Sequence, residues 1–147
     1  MRVATLIDRD PKMRTDRLSS AMLDFPTGQA VFTCSTQVAP YQRAQVLGTR
    51  GRVEVVVPVN APPDRPVRLL VDSGADLLGG SAKIEEFPIC DQYRIQGDAF
   101  SMAVRGEGEV PTPLEDSIRN MAVIEALFRS AREHAWVRPQ VADGAAS

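Results

Sequence analysis

Few residues in this chain have both the type and the spacing to do chemistry. Asp8-Arg9-Asp10 places two carboxylates beside a guanidinium at the end of an apolar run, and it is the most suggestive cluster. Its ordinary alternative is a solvated loop. The other acids, including Asp16, Asp24, Asp98 and Asp116, are scattered, and their spacing defines no glycosidase-like carboxylate pair. The one histidine, His134, falls at the end of an apolar periodic segment, where a helix dipole favours a cation; no nucleophile is coupled to it. Cys34 lies on an apolar strand face and reads as core. Cys90 precedes a helix start and reads as an inert thiol. The stretch from Ser73 to Gly80 is rich in glycine but matches neither the dinucleotide fingerprint nor the Walker pattern. Lys83 to Phe87, which follows it, lacks helical amphipathicity, so the stretch reads as a loop. No catalytic constellation and no metal site are expected.

The elements that must carry these residues follow from periodicity. Arg2 to Asp8, Arg17 to Phe25, Ala30 to Val38, Ala44 to Leu47, Arg52 to Val57, Val67 to Asp72 and Ala82 to Phe87 read as strands. Pro26 to Gln29 and Gly48 to Gly51 supply turns, with Gly28 free to take a positive φ. The period then changes. Asp91 N-caps a helix reaching Val104, with Tyr93, Gln96, Phe100 and Ala103 on one stripe. Thr112-Pro113-Leu114-Glu115 fits a capping box with Pro at the first helical position. The helix it opens runs to about Glu133 on a stripe of Leu114, Ile118, Met121, Ile124, Phe128 and Ala131. Ala135 to Val137 closes as a short strand, and Gln140 to Ser147 reads as a disordered tail. The expected class is α+β: an open, mainly antiparallel sheet of about six or seven strands with two helices packed on one face, as one domain over 1–139. A sheet covered on one side leaves a face rich in Val, Ser and Thr for a partner, and a homodimer or higher oligomer through it is the expectation.

Composition bounds the partners. With 147 residues and a formal charge of −2, the chain has no general attraction for nucleic acid or anionic membrane. It has no apolar run long enough for a bilayer span. Met1 to Asp8 turns polar too soon for a signal peptide. Two distant cysteines without a second pair suit a cytoplasmic protein with free thiols. The β-type run begins almost at Arg2, as it would if another segment preceded it.

Several strings, in order, resemble the C-terminal domain of the glucose–fructose oxidoreductase, inositol dehydrogenase and MocA family. They are Asp24-Phe25-Pro26-Thr27-Gly28-Gln29-Ala30, then Phe32 to Thr36, and Ala44 to Val53 with its Gly-Thr-Arg-Gly hairpin. Asp91-Gln92-Tyr93 through Phe100, and Glu115 to Met121 with Ala126 and Ser130-Ala131, complete the set. Together they span Arg2 to Pro139. The resemblance implies an enzyme with an N-terminal domain for NAD or NADP and a C-terminal domain that walls the substrate cleft and joins subunits. Hydride would pass between nicotinamide and a sugar, polyol or related carbonyl. The dinucleotide fingerprint, the Glu-Lys-Pro segment and the Asp-centred catalytic segment of the family have no counterpart here. These residues alone are therefore expected to bind no cofactor and to be inactive. By the same resemblance Asp8, Arg9, Asp91, Gln92 and Tyr93 face the cleft, with Gln37 and Tyr41 more remote. A freestanding sheet module for dimerisation, or for binding a small ligand or protein without catalysis, is the alternative.

Overall fold

The computed structural model describes residues 1–141. Seven strands and two helices follow one another in the order β1 (Arg2–Arg9), β2 (Asp16–Phe25), β3 (Gly28–Ser35), β4 (Arg43–Gly48), β5 (Gly51–Val56), β6 (Val67–Asp72), β7 (Lys83–Phe87), α1 (Gln92–Val104) and α2 (Leu114–Glu133). The class is α+β, as expected. The strands form two antiparallel sheets, β1-β2-β3 and β4-β5-β6-β7, rather than a single one. Between them Thr36–Gln42 carries no strand, and Pro40 within it has no backbone donor for a ladder. The chain divides into two compact units, Met1–Val38 with Pro111–Ser147, and Ala39–Val110. Of the C-terminal tail expected from Gln140 onward, residues 142–147 lie outside the described residues.

In the first unit, pairing puts Val3 opposite Leu23, and Thr5 opposite Ala21, which itself opposes Phe32. Alternation sends this set to one face, and α2 packs there against β1. The contact line on the helix is not the expected stripe of large side chains. Ala122, Ala126 and Ser130, four residues apart, are its buried residues. Small side chains let a helix backbone approach a strand closely, and the larger residues flank that line. Val3, Ala126 and Val137 form the core, with Leu23 and Leu127 packed against it. Because α2 lies on β1, the far strand β3 is uncovered, and Cys34, expected in the core, is exposed.

The ends of α2 depart from expectation in instructive ways. Pro113, not Thr112, is the N-cap, and no side chain caps the helix, so the capping box does not form. Glu115 and Asp116 in the first turn complement the dipole instead. His134 closes the helix in a left-handed conformation, φ 52°. The chain then reverses, and Val137 exchanges backbone hydrogen bonds of 2.8 and 2.9 Å with Val3. This single bridge replaces the expected terminal strand. Ser130 fastens the reversal: its hydroxyl accepts from the Thr5 amide at 3.1 Å and donates to the Ala135 carbonyl at 2.6 Å. The β2–β3 hairpin turns on Pro26-Thr27, while Gly28 begins β3 without a positive φ.

In the second unit the sheet has a chemically different character on each face. Register places Val46, Val53, Val55, Leu69 and Val71 on one face. The other carries cross-strand ion pairs: Arg43–Glu54 at 3.1 Å, Arg52–Asp72 at 2.8 Å and Arg68–Glu86 at 2.9 Å. β7 is an exposed edge strand rich in charge, the usual protection against edge pairing. Gly51 permits the tight Thr49-Arg50 turn: its φ is 143°, and a Cβ there would stand 2.2 Å from the Asp72 carbonyl oxygen. Beyond β6, Asp72 secures the Gly-rich loop. Its carboxylate accepts from the Gly74 amide at 2.9 Å and from the Ser81 hydroxyl, and its second oxygen meets Arg52 in an ionic contact without an aligned hydrogen bond. The Ser81 and Gly74 donors, helped by the Arg52 charge, hold its carboxyl below the usual range. The loop runs into β7 and not into a helix. Asp91 caps α1 as expected, accepting from the Tyr93 and Arg94 amides at 3.0 and 3.2 Å. The expected stripe on α1 is not buried: no residue of this helix is, and Tyr93 and Phe100 are each 66% exposed.

Replacing Ser130 with Ala would strand the part-buried Thr5 amide and the Ala135 carbonyl. A loss of about 1–3 kcal/mol in urea unfolding is expected, with the slope unchanged. An unaltered midpoint would show that the hydroxyl bridge contributes nothing.

Candidate functional site

Two polar patches gather the residues singled out in the sequence, one in each unit. The first closes β1. The ladder with β2 slips between Asp8 and Arg9, so that Asp8 opposes Leu18 while Arg9 opposes Asp16. Asp8 is tied to the next strand, with one carboxylate oxygen 2.8 Å from both Nε and Nη2 of Arg17. Arg9 is exposed and forms no ion pair among the described residues. Asp10 organises the turn that follows. It accepts from the Lys12 and Met13 amides at 2.8 and 2.9 Å and from Gln37 Nε2 at 2.9 Å. The Met13 amide first, then Gln37 and the Lys12 amide, hold its carboxyl below the ordinary value. Asp8, Asp10, Arg17 and Gln37 therefore gather in one partly exposed patch, next to Arg9 in the chain. Arg17 was not foreseen, because only strand register brings it to Asp8. Tyr41 instead lies in the second unit, 76% exposed, with the Arg43 guanidinium 5.0 Å from its ring centroid.

The second patch surrounds the start of α1. Asp91 is committed to capping. Gln92 donates from Nε2 to the Val59 carbonyl at 3.0 Å, and the Tyr93 hydroxyl reaches Asn60 Oδ1 at 3.4 Å. Gln42 Oε1 receives the Val59 and Asn60 amides at 3.3 and 3.1 Å. Just before this segment Val57 holds φ 57°, a strained setting for a β-branched residue. The structure thus joins Asp91, Gln92 and Tyr93 to Gln42 and Asn60, which no sequence signal marked. Spacings of 33 residues between partners are set by the sheet, not by a motif. The patch offers an exposed phenol and three side-chain amides, a set suited to hydrogen-bonding hydroxylated ligands.

Neither patch contains a nucleophile paired with a base, and among the described residues no three His, Cys, Asp or Glu side chains converge as a metal site. A dinucleotide needs a strand, a Gly-rich turn and a helix N-terminus aimed at its pyrophosphate. All ladders here are antiparallel, and the Gly-rich loop meets a strand. The described residues therefore do not fit a nicotinamide cofactor, and no chemical step is derived through one. No helix is long and apolar enough to cross a membrane among the described residues.

In this architecture antiparallel strands come first and both helices come last. Residues 10–138 match the model of the oxidoreductase family, C-terminal alpha/beta domain, and the chain belongs to that family. It is 38% identical over 136 residues to the uncharacterized oxidoreductase ORF334 of Rhizobium meliloti, covering 92% of this chain and 41% of that protein. The chain thus spans about two fifths of the length of this curated relative. Two solved structures share the fold. An aldose-aldose oxidoreductase from Caulobacter crescentus, complexed with glycerol, superposes with a TM-score of 0.69 at 21% identity, over 93% of this chain and 40% of that one. A levoglucosan dehydrogenase in complex with NADH and levoglucosan gives 0.70 at 13% identity, over 96% and 45%.

Two outcomes follow for the patches. Removing the cap in Asp91→Ala should cost about 0.5–2 kcal/mol and fray the start of α1, readable by amide exchange at Tyr93 and Arg94. Asp10 has a lowered carboxyl, so its turn is stabilised above the ordinary value of 3.8 and loosens as pH falls through the lower folded value. The Lys12 and Met13 amide signals should shift together in that acid range, and signals that move only near neutrality would refute the assignment.

Proposed function

We propose that this chain serves as the C-terminal domain of an NAD(P)-dependent oxidoreductase acting on a sugar, polyol or related carbonyl compound. The observation that carries the reading is family membership over residues 10–138, together with a relative of which the chain spans 41%. In this reading Asp8, Arg9, Asp91, Gln92 and Tyr93 contribute to the wall of the substrate cleft. Their hydrogen-bonding character supports a hydroxylated substrate, as do the sugar names carried by the two structural neighbours. The nicotinamide nucleotide, NAD or NADP, binds outside these residues, and turnover requires the domain that holds it. A cytoplasmic setting suits the two exposed free cysteines.

The same reading assigns a homodimer interface to the uncovered face of the three-stranded sheet. Leu6, Met22 and Val31 of that face share the lining of a groove of about 630 Å³ with Ser130, His134 and Ala135 at the end of α2. Leu6 and Val31 are 76% and 73% exposed, and Trp136 stands at the rim with the Arg2 guanidinium 4.7 Å from its ring centroid. Such apolar exposure on a sheet supports association.

Calorimetry with NADH and NADPH, with sedimentation on the same sample, tests the reading. No nucleotide binding and a defined dimer that Leu6→Glu dissociates are expected. Micromolar one-to-one binding would place the cofactor site in this chain, and a strict monomer would remove the interface.

A further inference from the structure

Strand β3 ends the three-stranded sheet, and Gly28 to Cys34 are exposed along it. A bare strand edge is a template for another chain, and folded proteins blunt such edges with charge, proline, a bulge or a cover. The other edges here are blunted in those ways. Val137 and the Ser130 hydroxyl occupy the outer side of β1, β4 carries the Arg43–Glu54 ion pair, and β7 carries Lys83, Glu85 and Glu86. β3 reads Gly28-Gln29-Ala30-Val31-Phe32-Thr33-Cys34-Ser35, without a charge or a proline, and its ladder with β2 runs without a register shift.

The backbone groups on the free side of β3 follow from the register. Val3 exchanges both its hydrogen bonds with Val137, and the Thr5 amide donates to Ser130, so these residues point away from β2. Bonding alternates along an antiparallel ladder. Val3 and Thr5 oppose Leu23 and Ala21, whose groups therefore turn toward β3, where they oppose Ala30 and Phe32. The amides and carbonyls of Gln29, Val31 and Thr33 are left on the free side, and among the described residues these amides donate to nothing outside the ladder.

This edge is complementary to itself. An antiparallel pair centred on Val31 sets Val31 against Val31 of the second copy and Gln29 against Thr33, so that outward donors meet outward acceptors. Between them Phe32 faces Ala30 of the other strand, a large side chain beside a small one, and no like charges meet. Val31 also belongs to the uncovered sheet face, so pairing runs that face on from one copy into the next. We propose that β3 is a self-pairing edge that joins two copies of this chain into one continuous sheet, through a two-fold contact at Val31. The contact uses the strand edge and is independent of the interface on the sheet face, so each can fail without the other.

The test uses the full 147-residue chain carrying Leu6→Glu, a change the face contact would not survive. Sedimentation and amide hydrogen exchange are followed as concentration rises to about 1 mM. The expected result is a reversible dimer with a dissociation constant on the order of 0.1 mM, in which protection of the Gln29, Val31 and Thr33 amides grows with concentration. Val31→Pro should weaken association at least about tenfold and leave the far-UV circular dichroism unchanged, because an edge tolerates proline where its amide faces solvent. Val31→Lys and Val31→Glu should each weaken it by a similar factor, and an equal mixture of the two should restore it, since the two-fold sets the charges directly opposite each other. A chain that stays monomeric with those amides unprotected, association untouched by Val31→Pro, or a mixture that fails to restore pairing overturns the proposal.

Discussion

One hydroxyl group holds the first strand, the last helix and the reversal that follows it in register. Ser130 receives the amide of Thr5 from the first strand and gives its proton to Ala135, beyond the end of its own helix. Without that bridge the last turn of α2 would end in solvent, and the Val3–Val137 pairing would lose the reversal that delivers it. Ala122 and Ala126 continue the same line along the helix, so the closeness that lets a serine reach a strand amide depends on the absence of bulk at those two positions. The energetic weight of the unit rests on few residues. Its core is Val3, Ala126 and Val137, and much of its apolar surface remains on show.

The second unit solves a different problem with different means. Its sheet is held by ladder hydrogen bonds and by ion pairs on one face, each exposed pair worth only about 0.2–1 kcal/mol. Specificity comes from the two-residue hairpin at Thr49-Arg50 and from Asp72, a buried anion whose partners are a hydroxyl, an amide and a guanidinium. These fix the end of the sheet.

Much of the fold was legible because period and punctuation agreed. Alternation gave the strands within a residue or two, save that β3 stops at Ser35 and not at Val38; Asp91 announced α1, and the end of α2 at Glu133 fell where its apolar pattern stopped. The misses share a cause. A search for large apolar side chains overlooks Ala122, Ala126 and Ser130, whose smallness is their function. Thr112 resembled a cap, but Pro113, with extended ψ and no donor to satisfy, took that position. Cys34 alternated correctly onto the helix-facing side of β3, yet one helix covers only the strand beneath it. For the candidate site, Asp91, Gln92 and Tyr93 were readable as a contiguous string. Their partners Gln42, Val59 and Asn60 were not, since strand pairing alone brings such residues together.

The unit built on β1, β2, β3 and α2 is discontinuous: Ala39–Val110 interrupts it. A ribosome delivers the three strands first and the helix that covers them only after the whole intervening unit. At about 5–20 residues per second, the interval between Ser35 and Pro111 is roughly 4–15 s. For that time Val3, Ala21 and Leu23 wait without the cover that α2 supplies. The insertion thus sets an order of events at birth, in which the later segment must mature, or at least stay out of the way, before the earlier one can close.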